Sequence, residues 1–127
     1  MTGWRMACNW SSVALLPMSV LLLAHGSLLG LLYAASAAAA FAYHLYDEQR
    51  FSGVDHALAW AAIGANFWLA ANTRDWQATL VGAGCVLLAL KCYSKAKADP
   101  ARYCEHHTYW HLFCGLAGVL LAQGYVA

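Results

Sequence analysis

The feature that most constrains this chain is a long segment without charged side chains. Asp, Glu, Lys and Arg are all absent from Met6 to Tyr46. As one straight helix, this segment would be roughly 60 Å long, which is twice the apolar thickness of a bilayer. It must therefore fold back once. The expected break is the tripeptide 25–27, His-Gly-Ser, where polar residues and a glycine coincide.

The composition indicates an integral membrane protein. Of the 127 residues, 62% are hydrophobic and only 10% are charged, whereas about 25% are charged in soluble domains. Helices of a soluble bundle would carry polar stripes at helical period, but the stretch Leu28–Ala42 is apolar or small on every side. Arg5 before an apolar run is also typical of a signal peptide, yet the run continues far beyond a plausible cleavage point. The net charge of +1 and the lack of a basic patch argue against nucleic acid as a partner.

The polar breaks predict one all-α domain over residues 1–127, a polytopic transmembrane bundle. Its five spans are expected at about 4–24, 27–46, 54–72, 76–92 and 106–126. Pro17 should kink the first span. Polar loops are expected at 47–53 and 93–105, and a tight turn at 72–75.

The orientation follows from the basic residues. The loop between the fourth and fifth spans is rich in Lys and Arg, which places it in the cytoplasm. Five spans then put the N-terminus in the cytoplasm and the C-terminus on the outer or lumenal side.

Four ionisable side chains lie within or beside the apolar segments. His107 and His111 are four residues apart, so they share one face of a helix. His44 closes the second span and Asp55 begins the third. In the predicted topology all four lie at the cytoplasmic ends of their helices. Because ionisable groups at membrane depth are costly, they are candidates for a functional site.

Three histidines form the usual shell of a catalytic zinc ion, with one position open for water. Asp55 could then hydrogen-bond that water or act as its general base. The residues also allow other readings. His44 could equally pack at the membrane interface, and Cys104 with His107 and His111 is an alternative shell. The chain has five cysteines, an odd number without zinc-finger spacing, so they are expected to be mostly buried thiols.

The order His44, Asp55, then His107-xxx-His111 resembles the CREST superfamily of membrane hydrolases. That superfamily includes alkaline ceramidases, the progestin and adiponectin receptors, and lipases that remodel lipid anchors. The segment 43–47, Tyr-His-Leu-Tyr-Asp, is most similar to the myomaker-like branch, together with Tyr-Trp-His near the C-terminus.

The resemblance implies a seven-helix bundle that holds zinc through three histidines and uses zinc-activated water to cleave a lipid amide or ester. Carried over, the metal ligands would be His44, His107 and His111, the catalytic residue would be Asp55, and the partner would be a membrane lipid.

The chain departs from the family pattern in two respects. The family serine lies one turn before the first histidine, where this chain has Ala40, and Ser36 is about 12 Å along the helix from His44. The span count is five rather than seven, so two helices that would form part of the wall of a lipid pocket are missing. A homo-oligomer could complete that wall. A second reading is therefore a non-enzymatic protein in which zinc staples three helices, with a structural, receptor or fusion role. A third is a haem protein with axial histidines from facing helices.

Overall fold

A computed structural model of the chain describes residues 3–46 and 49–127, and nearly all of this part is helical. Two 3₁₀ turns, Ser12–Leu15 and Pro100–Arg102, interrupt the helices. The helices are α1 (Gly3–Ser11), α2 (Leu16–Ala24), α3 (Leu29–Tyr46), α4 (Gln49–Asn72), α5 (Trp76–Ala98) and α6 (Tyr103–Val126). The predicted all-α bundle is confirmed.

The first helical segment and α3 run in opposite directions. Near one end of the bundle, the sulfur of Cys8 lies 3.8 Å from Nδ1 of His44. Further along, the hydroxyl of Ser19 donates to the carbonyl of Gly30 at 2.6 Å. Residue numbers therefore rise on one helix as they fall on the other.

The first segment and α6, by contrast, run in the same direction. Ser11 contacts His111, and Ala14 lies against Gly115 one turn later. Because α6 is parallel to α1, the N-terminal ends of both helices lie at the same end of the bundle as the C-terminal end of α3. We call this the site end.

The predicted break between the first two helical segments is confirmed. Gly26 has a φ of +77°, a left-handed conformation that glycine adopts without steric cost. The N–H of Ser27 donates to Leu22 O at 2.9 Å, and the N–H of Gly26 donates to Leu23 O at 3.0 Å. This pair of bonds is a Schellman motif, which satisfies carbonyls that the end of α2 would otherwise leave without partners.

Pro17 also acts as expected. The 3₁₀ turn Ser12–Leu15 comes directly before α2, in which Pro17 occupies the first turn. Proline has no N–H for the helical ladder, so it is tolerated where a new helix begins and not in the middle of one. The first span is thus two helices joined by a tighter turn.

The predicted tight turn at 72–75 is present as well. Helix α4 ends at Asn72, and the side chain of Asp75 caps α5 by accepting from the N–H groups of Gln77 and Ala78. An aspartate at this position satisfies donors that have no partner inside the helix.

The two predicted polar loops are wrong in extent. Helix α5 continues to Ala98, and α6 begins at Tyr103, so little of the region 93–105 is loop. Helix α4 already begins at Gln49, within the predicted loop 47–53, while Asp47 and Glu48 lie outside the described residues. Lys, Ala, Gln and Arg favour helix, so these helices extend past their apolar parts.

Three helical segments in the described ranges are long and apolar enough to cross a membrane: Gly3–Ala24, Leu29–Tyr46 and Trp76–Ala98. Helices α4 and α6 have 24 residues each, which is sufficient in length. They fall short in apolarity because α4 carries Asp55 and Asn66, and α6 carries several histidines. One of these polar groups is used inside the bundle, since the hydroxyl of Tyr33 donates to Oδ1 of Asn66 at 2.6 Å.

Close contact between the first segment and α6 depends on glycine. A Cβ on Gly115 would lie 2.5 Å from the carbonyl oxygen of Ala14, so the backbones would have to separate. We expect Gly115→Ala to lower the free energy of unfolding by about 1–3 kcal/mol, the usual cost of overpacking. Gly84→Ala is the control, because a Cβ there meets nothing within 4 Å. Equal thermal midpoints for the two variants in detergent would contradict this packing argument.

Candidate metal centre

Three histidine side chains converge at the site end of the bundle. Helix α3 supplies His44, and α6 supplies His107 and His111. One ring nitrogen of each can be chosen so that all three lie within 4.8 Å of one another, a group that could hold a metal ion. The ring centroids of His107 and His111 are 4.6 Å apart, and that of His44 is 4.8 and 5.2 Å from them. The structure therefore brings together the three predicted ligands.

The central histidine of the group is His107. It is 5% exposed, and neither of its ring nitrogens has a hydrogen-bond partner among the described residues. The ring of Tyr103 stacks on it at 4.9 Å, which covers the imidazole without bonding to it. A buried polar group without a partner costs about 1–3 kcal/mol. A metal ion bound to one nitrogen of His107 would offset part of that cost.

A hydroxyl from α1 fixes the proton of His111. Oγ of Ser11 lies 2.9 Å from Nδ1 of His111 and donates its own proton to the carbonyl of Cys8, also at 2.9 Å. Since a hydroxyl has a single proton, Nδ1 of His111 must be the donor in the contact with Ser11. The lone pair of His111 is then on Nε2, which is the nitrogen free to bind a metal.

The same helix also contacts His44. The thiol of Cys8, only 1% exposed, lies 3.8 Å from Nδ1 of His44. Nε2 of His44 is buried. Metal-binding histidines usually bind through one nitrogen while the other contacts a protein group, which sets the orientation of the ring. Cys8 contacts Nδ1 of His44 in this way, and Ser11 contacts Nδ1 of His111.

Ser11 was not among the predicted site residues, and Cys8 was not distinguished from the other thiols. One signal was present: the two residues are three apart, so they share a face of α1, whose only charged residue is Arg5. Small polar groups on one face of an apolar helix need partners inside the bundle.

Asp55 lies beside the histidines. It is 6% exposed and lines a cavity of about 40 Å³ together with His107 and His111. We call this the core cavity. Its volume suffices for a few water molecules. Ala40, at the position of the family serine, lines the same cavity. Ser36, one turn before Ala40 in α3, also lines it.

The separations of the three histidines can be compared with those in a tetrahedral zinc site. Zinc binds imidazole nitrogens at about 2.0–2.1 Å, which places two ligand nitrogens about 3.3 Å apart in a tetrahedron. The observed separations of up to 4.8 Å require the rings to approach each other by about 1 Å or more. Water in the core cavity could complete the shell.

The other readings fit less well. Cys104 does not join His107 and His111 within the described residues, since the only group found uses His44. A haem between axial histidines needs room for a porphyrin. The rings of His44, His107 and His111 lie within 5.2 Å of one another, and the adjoining core cavity is about 40 Å³.

No family model, curated protein or solved structure matches the chain.

Proposed function

We propose that the protein is a membrane-embedded, zinc-dependent hydrolase that cleaves a lipid amide or ester. The observation that carries the proposal is the burial of three converging histidines, one with both ring nitrogens unsatisfied, beside a buried carboxylate in a water-sized cavity. His44 and His111 would bind zinc through Nε2, and His107 through one of its two nitrogens. The likeness to the CREST superfamily in order and spacing adds to this reading.

The chemistry divides between the ion and the chain. When bound, zinc polarises a carbonyl and lowers the pKa of its water to about 7. Asp55 lines the core cavity beside two of the proposed ligands, so its carboxylate would accept a proton from water there as general base. Ser11 and Cys8 keep the histidine rings in the binding orientation.

The fold is consistent with five membrane spans, the N-terminus in the cytoplasm and the C-terminus outside or in a lumen. The parallel packing of α1 and α6 is what an odd number of passes requires. In this orientation the site end faces the cytoplasm. A lipid bound there would present its amide or ester from the cytoplasmic leaflet.

A non-enzymatic role is the second candidate, and the core cavity favours it. A volume of about 40 Å³ holds water but no acyl chain. Ala40 also offers no hydroxyl where the family has one. In this role zinc links α3 to α6. A hydrolase, by contrast, would have to open the bundle to admit its substrate.

Metal content and turnover together separate the two candidates. Protein purified in detergent is analysed for zinc by mass spectrometry and then incubated with fluorescent ceramide and phospholipid substrates, with and without a chelator. About one zinc per chain and chelator-sensitive cleavage support the hydrolase. One zinc without cleavage supports the staple. A folded chain without zinc overturns both.

Loss of the Ser11 hydroxyl tests whether Ser11 keeps the proton of His111 on Nδ1. We expect Ser11→Ala to weaken zinc binding about 10–100-fold, the usual effect of removing an outer partner of a metal ligand. Ser12→Ala is the matched control, because the Ser12 hydroxyl is also buried but donates to the carbonyl of Asn9. Competition with a chromophoric chelator measures both affinities. Equal losses in the two variants would refute a role for Ser11 in orienting His111.

A further inference from the structure

A second cavity, which shares no lining residue with the core cavity, is lined by reactive side chains. Cys8 and Cys104 line a cavity of about 230 Å³ together with His44. We call this the rim cavity. The sulfur of Cys8 lies 3.8 Å from Nδ1 of His44, and Cys104 lines the same cavity. The mechanism proposed above gives no role to Cys104.

The two thiols come from different helices that pack directly on each other. Cys8 lies in α1, and Cys104 lies in the first turn of α6. The rings of Trp4 and Tyr109, at 6.1 Å, also join these helices near the same end. The packing of α1 against α6 therefore places Cys8 and Cys104 in the same cavity.

We propose that Cys8 and Cys104 form a redox-sensitive modification site, in which a peroxide oxidises the pair to a disulfide that links α1 to α6. The two cysteines differ in access: Cys104 is half-buried, whereas Cys8 is 1% exposed. Cys104 is thus the thiol that meets the oxidant, and Cys8 is the thiol that resolves the product.

The reaction proceeds in two balanced steps. The thiolate of Cys104 attacks one oxygen of hydrogen peroxide, the O–O bond breaks, and Cys104 becomes a sulfenic acid while the second oxygen leaves as water after protonation. The thiol of Cys8 then attacks the sulfenic sulfur, the S–O bond breaks, and a second water is released. Two thiols have been oxidised to one disulfide, and one peroxide has been reduced to two waters.

Oxidation would also change the surroundings of His44. In the reduced protein the sulfur of Cys8 lies against Nδ1 of that histidine. With zinc on Nε2, Nδ1–H of His44 would donate to the sulfur of Cys8. A sulfur bonded to Cys104 would be held towards α6, which would alter this contact. This part of the inference rests on the proposed metal centre, whereas formation of the disulfide does not.

The disulfide is tested on the full chain in detergent, without metal or substrate. Protein is treated with hydrogen peroxide, the remaining thiols are alkylated, and peptides are mapped by mass spectrometry. We expect a linked pair containing Cys8 and Cys104, a mass loss of two hydrogen atoms, and reversal by dithiothreitol. The cysteines on α5, Cys85 and Cys92, serve as internal controls and should remain alkylated. Alkylation of both Cys8 and Cys104, or links to other cysteines instead, would overturn the proposal.

Two variants complete the design. In Cys8→Ser, Cys104 should stop at the sulfenic acid, which a dimedone-type probe captures, whereas Cys92→Ser should form the disulfide normally. Zinc affinity is then compared between reduced and oxidised protein, with an expected loss of about 10–100-fold on oxidation, as for other outer partners. If the disulfide forms but zinc affinity does not change, the modification site is supported and only its link to His44 is rejected.

Discussion

Replacing His107 with leucine is expected to abolish the stabilising effect of zinc. Without metal, His107→Leu removes two buried nitrogens that have no partner among the described residues, so the variant should be as stable as the wild type or more stable, by up to about 1–3 kcal/mol. With zinc at about 1,000 times its dissociation constant, the wild type should gain about 4 kcal/mol. The variant, with one ligand lost, should gain almost nothing.

The measurement is thermal or denaturant unfolding in detergent, with and without zinc, for three proteins. His106→Leu is the matched control, because His106 is the chain neighbour of His107 and belongs to no metal group in the described residues. It should respond to zinc as the wild type does. If zinc stabilises His107→Leu as much as the wild type, the ion binds elsewhere and the proposed centre is wrong.

Replacing Asp55 with asparagine should abolish turnover while leaving zinc in place. The amide has nearly the shape of the carboxylate but cannot accept a proton from water. Loss of a general base lowers kcat by about 10²–10⁴-fold. Zinc content should stay near that of the wild type, because Asp55 lines the core cavity and is not one of the three grouped ligands.

Asp75→Asn controls for the loss of a negative charge. Asp75 caps α5, remote from the site end, and asparagine caps helices about as well. Its variant should retain both zinc and activity. If Asp55→Asn loses its zinc, the carboxylate holds the metal site together and the assignment as a base fails. If it keeps full activity, another group takes the proton.

The site could be predicted in part because its residues obey simple rules of position. The four-residue spacing of His107 and His111 fixes a shared helix face, and the alternation of helices brings His44 and Asp55 to the same end. Cys8 and Ser11 could not be assigned in the same way. Their partners are 36 and 100 residues away in the chain, and nothing local distinguishes them from small residues that merely fill a core.

The helix ends show a different limit. Hydropathy predicts where a chain leaves the membrane, but a helix ends where its backbone bonds end. Lys95, Lys97 and Ala98 are good helix formers, so α5 continues through them despite their polarity. The turns at Gly26 and Asp75 were predictable because glycine and aspartate act there through their own local bonds.

The division of the ligands between α3 and α6 has a consequence for biosynthesis. Until the last helix has left the ribosome and entered the bundle, a nascent chain carries only one of the three histidines. A metal ion held by all three histidines could therefore be acquired only after α6 is inserted and packs beside α3. Chains that stop before Tyr103 should fail to bind that ion even if they insert.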